Sequence, residues 1–344
     1  MTVDSKPDQL AEERRKWDAY YAGLPAEEQS IPAVEALYRE LAETVGRIVP
    51  PGSRLLEAGC GSGRSSLALA QSGGFEVTLL DFSEAAIAHA RTVFERAGVR
   101  AQFQVGDALG GAAAPEYDVV FNAGVLEHYD FERHVAFLQG MKRRSRHYVF
   151  TLVPNRACYW YWIWRLQSTA AGHWKFGYEK PASDYRSAIE AAGLRYLGRV
   201  YLGARAVDHF LATLAGLDHD LREQIASVHR QEIVPAAQRS YLVGFLASIR
   251  ENDPVPTGFS LAAVTDAEPE GDWADRYVTL AADALAAQIA TQQHLARLEQ
   301  EAARLRGKLV TAEAERTKLE AALRSAPAHG GALGRLIRLM TSRS

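Results

Sequence analysis

Leu55-Leu56-Glu57-Ala58-Gly59-Cys60-Gly61-Ser62-Gly63-Arg64-Ser65-Ser66 begins as an apolar strand and ends as the first turn of a helix. Glycine at alternate positions, Gly59, Gly61 and Gly63, strips the turn of side-chain bulk, so the backbone can take positive φ and a ligand can press against it. The spacing is not that of a dinucleotide turn. Counted from Gly59, the third glycine of G-x-G-x-x-G falls on Arg64, and counted from Gly61 it falls on Ser66. No Gly-Lys-Ser/Thr follows, which excludes the P-loop.

Glu57, two residues before the first glycine, would repel a pyrophosphate and suits a ligand carrying an amino group and a sulfonium. With that acid in place the stretch resembles the class I S-adenosylmethionine-dependent methyltransferases, whose first motif reads acid-x-Gly-x-Gly-x-Gly after the first strand. The resemblance runs from about Trp17 to about Ile249. It implies an α/β fold with a doubly wound, seven-stranded, mostly parallel sheet, and S-adenosyl-L-methionine as cofactor.

Working outward, the first strand is Arg54–Ala58 and the helix after the turn is Arg64–Gln71. A second strand, Glu76–Leu80, ends at Asp81. An acid about 20 residues past a glycine turn, at a strand end, can hold two ribose hydroxyls. Asp81 could instead serve the helix that Ser83 caps, Glu84–Ala97. The resemblance implies Phe82 on the adenine face. It also implies Asp107, after a third strand at Ala101–Val105, accepting from the adenine amine, with the Ala108 N–H on a ring nitrogen. Asp107 as a plain turn residue is the other reading. The fourth strand, Asp118–Asn122, carries Asn122 to the same carboxyl edge.

Glu127-His128 follows that strand, where the family brings the methyl group. Histidine titrates near neutrality and can take a proton from an acceptor hydroxyl. The pair is therefore the expected catalytic one, His128 as base and Glu127 orienting it or touching the acceptor; the bland alternative is a histidine that shapes the loop. No metal is expected: ubiquinone-pathway O-methyltransferases resemble this region with a further acid near Gly124, and glycine there leaves the ligand set incomplete. The Asn-Pro-Pro-Tyr type motif of adenine and glutamine N-methyltransferases is absent.

Past a fifth strand at His147–Val153 comes Tyr159-Trp160-Tyr161-Trp162-Ile163-Trp164, and with Trp174 this region holds four of the six tryptophans. Together with Gly172-His173-Trp174-Lys175-Phe176-Gly177-Tyr178-Glu179 it resembles the acceptor region of several bacterial methyltransferases. Trp162, His173 and Trp174 are the expected substrate contacts. An aromatic surface can stack on a sugar or an apolar acceptor, and it can equally be a packed cap. Lys142–Arg146 reads as a solvated loop. Ser183–Gly193 reads as a helix, and Leu194–Leu202 and Tyr241–Ile249 as a closing strand pair.

Upstream, residues 1–16 are polar and expected to fray. Trp17, Tyr20 and Tyr21 precede a helix over about Ile31–Ile48 with Val34, Leu37, Leu41, Val45 and Ile48 at helical spacing. The resemblance implies a lid here, with Tyr21 reaching the cofactor. The 344 residues carry net charge −3 and two cysteines. That points away from nucleic acid, an anionic membrane as bulk partner, and a disulfide framework. No signal peptide or apolar span is visible, so the expected place is the cytoplasm.

Residues 1–250 are read as the catalytic domain, 251–271 as a linker, 272–325 as a coiled coil and 326–344 as a basic amphipathic tail. Leu295, Leu298, Ala302, Leu305, Leu309, Ala312, Leu319 and Leu323 fall on a and d positions, with Arg316 the one charged a position. Self-association through that seam is expected. The tail, Leu333, Leu336, Ile337 and Met340 with Arg335, Arg338 and Arg343, suits docking on a partner or on the inner membrane face. The layout is similar to bacterial glycan-assembly methyltransferases with a coiled-coil extension. Two functions stand: O-methylation of a sugar, glycolipid or other small-molecule hydroxyl, or a cofactor-binding scaffold of a glycan or lipid pathway working through its coiled coil.

Overall fold

The computed structural model describes residues 7–24, 32–110, 116–174, 176, 179–214, 219–230, 235–261, 297–322 and 334. The chain separates into two compact units, Met1–Trp273 and Ala274–Ser344.

In the first unit seven strands form one sheet: β1 (Arg54–Ala58), β2 (Glu76–Asp81), β3 (Gln102–Val105), β4 (Tyr117–Ala123), β5 (Ser145–Pro154), β6 (Arg195–Leu202) and β7 (Leu242–Ser248). Their order is β3-β2-β1-β4-β5-β7-β6. The first five run parallel, and β7 pairs antiparallel with both β5 and β6. The order reverses between β1 and β4, which opens a crevice beyond their carboxyl ends.

Parallel strands buried on both faces read as continuous apolar runs, and β1 obeys this. Leu55 faces a cluster with Leu41, Val45, Phe94, Phe121 and Phe150. Its neighbour Leu56 faces the opposite cluster, with Val120, Phe137, Leu138 and Ile189. On the first face lie α2 (Pro32–Ile48), α3 (Arg64–Gly73) and α4 (Glu84–Ala97), and α1 (Pro7–Ala22) packs against α4. The other face carries α5 (Phe131–Arg144) and, after α6 (Tyr159–Ala170), α7 (Arg186–Ala191). Leu37, Leu41, Val45 and Ile48 of α2 are all buried, as their spacing requires. A third cluster joins Tyr161 and Trp162 of α6 to Val207, Phe210 and Leu211 of α8 (Ala206–Thr213). Residues beyond β7 continue along the domain, with Ser260 bridged to Arg199 and Phe259 edge-on to Phe150.

Two expectations are corrected. The polar N-terminus does not fray from residue 7 onward but forms α1. It is held by Asp18, which accepts from Ser83 Oγ at 2.5 Å, and by Glu13, whose carboxylate takes Arg133 at 2.6 Å. Its few apolar residues hid an element whose anchors are polar. Lys142–Arg146 is not a solvated loop either: it ends α5 and opens β5. Arg144 donates to the carbonyls of Ala108 and Gly140 at 2.9 Å and of Asp107 at 3.2 Å, tying down the turn after β3.

In the second unit residues 297–322 are helical. Leu298, Leu305, Leu309 and Leu319 are exposed in the single chain, and Arg316 pairs with Glu320 at 3.4 Å, one turn away. Residues 262–296 and 323–333, with most of the expected coiled coil's first half and all but residue 334 of the tail, lie outside the described residues. No described helix is long and apolar enough to cross a membrane.

Candidate active site

The turn after β1 is braced from β2: the Gly59 and Cys60 amides donate to Leu80 O at 2.8 and 3.1 Å. Gly59 and Gly61 both have positive φ, 75° and 52°. A Cβ at Gly59 would stand 2.8 Å from Val125 Cγ2, and one at Gly61 would collide with the Tyr21 phenol. Gly63 serves packing: a side chain there would run into Leu79, Ala90 and Phe94.

At the end of β2, Asp81 is buried and accepts from the Gly61 amide through Oδ2 and the Ser83 amide through Oδ1, each at 2.9 Å. Burial pushes its pKa up, and those two amides pull against the shift. Asp107 Oδ1 accepts from the Leu109 amide at 2.8 Å. Gly59, Gly61, Asp81, Phe82, Asp107, Ala108 and Tyr21 all line one inner cavity of about 220 Å³. The lid expectation thus gains a geometry, with Trp17 and Tyr21 of α1 forming a wall over the glycine turn.

This cavity is not lined by Glu57, Gly63 or Asn122. Glu57 points instead into the start of α3, where Oε2 accepts from Ser66 Oγ at 2.6 Å and Ser66 N at 3.2 Å. Burial lifts its pKa to about 8 against those bonds. Asn122 is buried, accepting from Thr151 Oγ1 at 2.9 Å. These residues build the wall's backing and shape the turn from behind.

After β4, Gly124 takes φ 78° and a short helical turn, Leu126–His128, follows. His134 anchors the turn through its Nε2, 2.7 Å from Leu126 O. Glu127 is turned inward, 2% exposed, and its Oε2 has no hydrogen-bond partner among the described residues. Burial drives its pKa well up, and Glu179 raises it further. Glu179 is also buried and is raised by burial; its Oε2 accepts from Tyr161 Oη at 2.6 Å and faces Arg165 at 3.7 Å. His128 stands edge-on to Trp17 with ring centres 5.6 Å apart.

A second, outer cavity of about 1040 Å³ opens on the far side of His128. Glu127, Lys16, Arg133, Arg156 and Lys180 are among its walls. Glu13, Lys16, His128, Tyr129 and Arg133 line both cavities.

The expected substrate aromatics lie elsewhere, and neither cavity is lined by them. Trp162 is buried and donates from Nε1 to Arg156 O at 2.9 Å. The Arg165 guanidinium sits over Trp162 and Trp174 at 5.0 and 4.9 Å. Trp174 meets Trp164 and Phe176 edge-on, and His173 is exposed. The run is a packed cap whose tryptophans fill space under α8. Lys175, Gly177 and Tyr178 lie outside the described residues. Sequence reasoning missed Lys16, Arg133, Arg156 and Lys180 as walls, and Glu179 as the neighbour of Glu127. The only signal for Glu179 was its place in the quoted 172–179 run.

Residues 55–147 match the methyltransferase-domain family. No curated protein matches the chain. Among solved structures, it is similar to geranyl diphosphate C-methyltransferase from Streptomyces coelicolor A3(2), bound to Mg2+, geranyl diphosphate and S-adenosyl-L-homocysteine. That match has 15% identity and TM-score 0.45, covering 72% of this chain and 99% of that one. The magnesium protoporphyrin IX methyltransferase of Synechocystis PCC 6803, with bound SAH, shares 16% identity at TM-score 0.42 over 70% of this chain and 94% of its own. The [4+2]-cyclase SpnF shares 15% identity at TM-score 0.43, over 72% and 94%.

Proposed function

We propose that the protein is an S-adenosylmethionine-dependent methyltransferase of the class I type that methylates a hydroxyl oxygen of a small molecule; the match of residues 55–147 to the methyltransferase-domain family supports this. The acceptor class is a sugar, glycan or glycolipid. One observation carries this reading: His128 is a wall shared by the inner cavity, which has the glycine turn and Asp81, and by the larger outer one.

The inner walls fit the cofactor. Gly59 and Gly61 leave bare backbone at the cavity, and each Asp81 oxygen, already holding one amide, keeps a lone pair for a ribose hydroxyl. Phe82 offers its ring to the adenine, Asp107 and the Ala108 amide its edge partners, and Tyr21 the cover. S-adenosylmethionine supplies a methyl group on a positively charged sulfur. His128 faces the acceptor side, where its imidazole takes the hydroxyl proton as the new C–O bond forms and the C–S bond breaks. Holding the two reactants in line lowers most of the barrier, and removal of the proton adds about 10²–10⁴-fold. Glu127, directed inward, bears on the acceptor through His128 and the turn they share.

The test is His128→Ala in a labelled-methyl assay on cell-extract glycans and small molecules. Turnover is expected to fall about 10²–10⁴-fold, with S-adenosylhomocysteine affinity held within about threefold. Full turnover in the variant overturns the base assignment.

A second reading is favoured by the exposed leucines of 297–322: the helix self-associates, as a weak dimer or trimer, and the protein works as a scaffold that only binds cofactor. Its signature is cofactor binding without methyl transfer to any acceptor. Either reading is compatible with a cytoplasmic protein whose C-terminal segment docks on a partner or on the inner membrane face.

A further inference from the structure

We propose that Glu127, His128 and Glu179 form a site for one divalent cation at the floor of the outer cavity. A ligand atom from each of the three lies within 4.8 Å of the others, a spacing one ion can span. Glu127 and Glu179 are buried, and Glu127 Oε2 is an orphaned acceptor held out of water among the described residues. An unsatisfied buried carboxylate oxygen is costly, and a bound cation is the partner it lacks.

The surroundings are built as a metal's outer shell is built. Tyr161 Oη and Arg165 both hold Glu179 Oε2, which fixes the carboxylate's orientation. The Lys180 amide donates to Glu127 O at 2.7 Å and clips the Glu179 segment to the turn after β4. One imidazole with two carboxylates suits Mn2+ or Zn2+ better than Mg2+, which prefers oxygen and water.

Glu127 and His128 also line the outer cavity, so open coordination positions would face it. This part rests on the methyltransferase reading. An acceptor with two adjacent oxygens, such as a vicinal diol or an α-hydroxy acid, would chelate the ion, and its bound hydroxyl would lose a proton more readily. His128 would then be a ligand, and the proton would leave to water.

The experiment is titration of full-length, metal-stripped protein with Mn2+, Zn2+ and Mg2+, followed by calorimetry and, for Mn2+, by electron paramagnetic resonance. No acceptor or cofactor is present. The expected result is one Mn2+ or Zn2+ per chain, with affinity at least about tenfold weaker in Glu179→Gln and in Glu127→Gln. Circular dichroism and S-adenosylhomocysteine binding certify that each variant is folded; if one is not, the other decides. Absence of a stoichiometric site for all three ions, or a site unchanged in a folded variant, overturns the proposal. Metal binding without S-adenosylhomocysteine binding would sink the methyltransferase reading and leave the ion site standing, and the reverse result would do the opposite.

Discussion

Leucine plays opposite parts in the two units of this chain. In β1, Leu55 and Leu56 are fully buried, one on each face of the sheet, beside a turn that lines the inner cavity. In the helix over 297–322, Leu305, Leu309 and Leu319 are about 60% exposed, at 58, 60 and 64%. The first set is satisfied within its own unit, by neighbours that include Leu41 and Phe150 on one face and Ile189 on the other. The second set is at helical spacing and exposed among the described residues, the pattern a seam between copies would have. Burial within one chain therefore separates apolar residues that the fold itself satisfies from apolar residues that it leaves exposed.

The largest effect should come from the buried set. Leu56→Ala should cost about 2–5 kcal/mol in urea unfolding, because the deletion leaves a cavity between β1 and the α5 side. A cost below about 0.5 kcal/mol would mean that the β1 face is not the core described. Next comes the turn's working face: Asp81→Ala should weaken S-adenosylmethionine binding by about 2–4 kcal/mol in calorimetry, since ribose hydroxyls lose a charged acceptor. Unchanged affinity would remove Asp81 from the cofactor site.

A third effect distinguishes the turn's backing from its face. Glu57 has a folded pKa of about 8 against an ordinary 4.5. The folded state therefore binds the proton more tightly than the unfolded chain. Its contribution to stability is full below 4.5, is lost as pH rises through that window, and is gone above about 8, at up to about 1.4 kcal/mol per pH unit. Glu57→Gln should flatten stability between these pH values while leaving the cofactor site lined as before. An unchanged pH profile would place Glu57 in a wetter setting than its Ser66 bonds imply.

The smallest effect on stability belongs to the exposed set. Leu305→Ser with Leu319→Ser should leave unfolding of the first unit within about 0.5 kcal/mol, yet reduce the assembly seen in sedimentation to the monomer, the state also expected of a chain ending at residue 261. Monomers for the full chain, the double variant and the truncation alike would leave the seam without a partner copy.

Much of the inner site was legible. Asp81, Phe82, Asp107 and Ala108 follow strands recognisable from their apolar runs, and a strand's last residue must emerge at the sheet's carboxyl edge. Glu57 was legible as to position but not direction. Its spacing from Gly59 sets it on β1, whereas the Ser66 hydroxyl and amide, nine residues on, turn it away from the cavity. The aromatic run misled for a related reason: tryptophan serves a cap and an acceptor wall equally well, and only the neighbours in α8 decide which.

Sequence by itself determined the succession of strands along the chain, the bare glycine turn, the acids after β2 and β3 and the histidine after β4, because each depends on local pattern and on residues within one strand-turn-helix unit. Tertiary structure alone decided that Asp18 and Glu13 anchor α1 and that Arg144 holds the turn after β3. It also brought Glu179 within ligand distance of Glu127 and His128. Those outcomes join segments far apart in the chain through polar contacts made only when the sheet is assembled, and polar side chains carry no periodicity from which such contacts can be read.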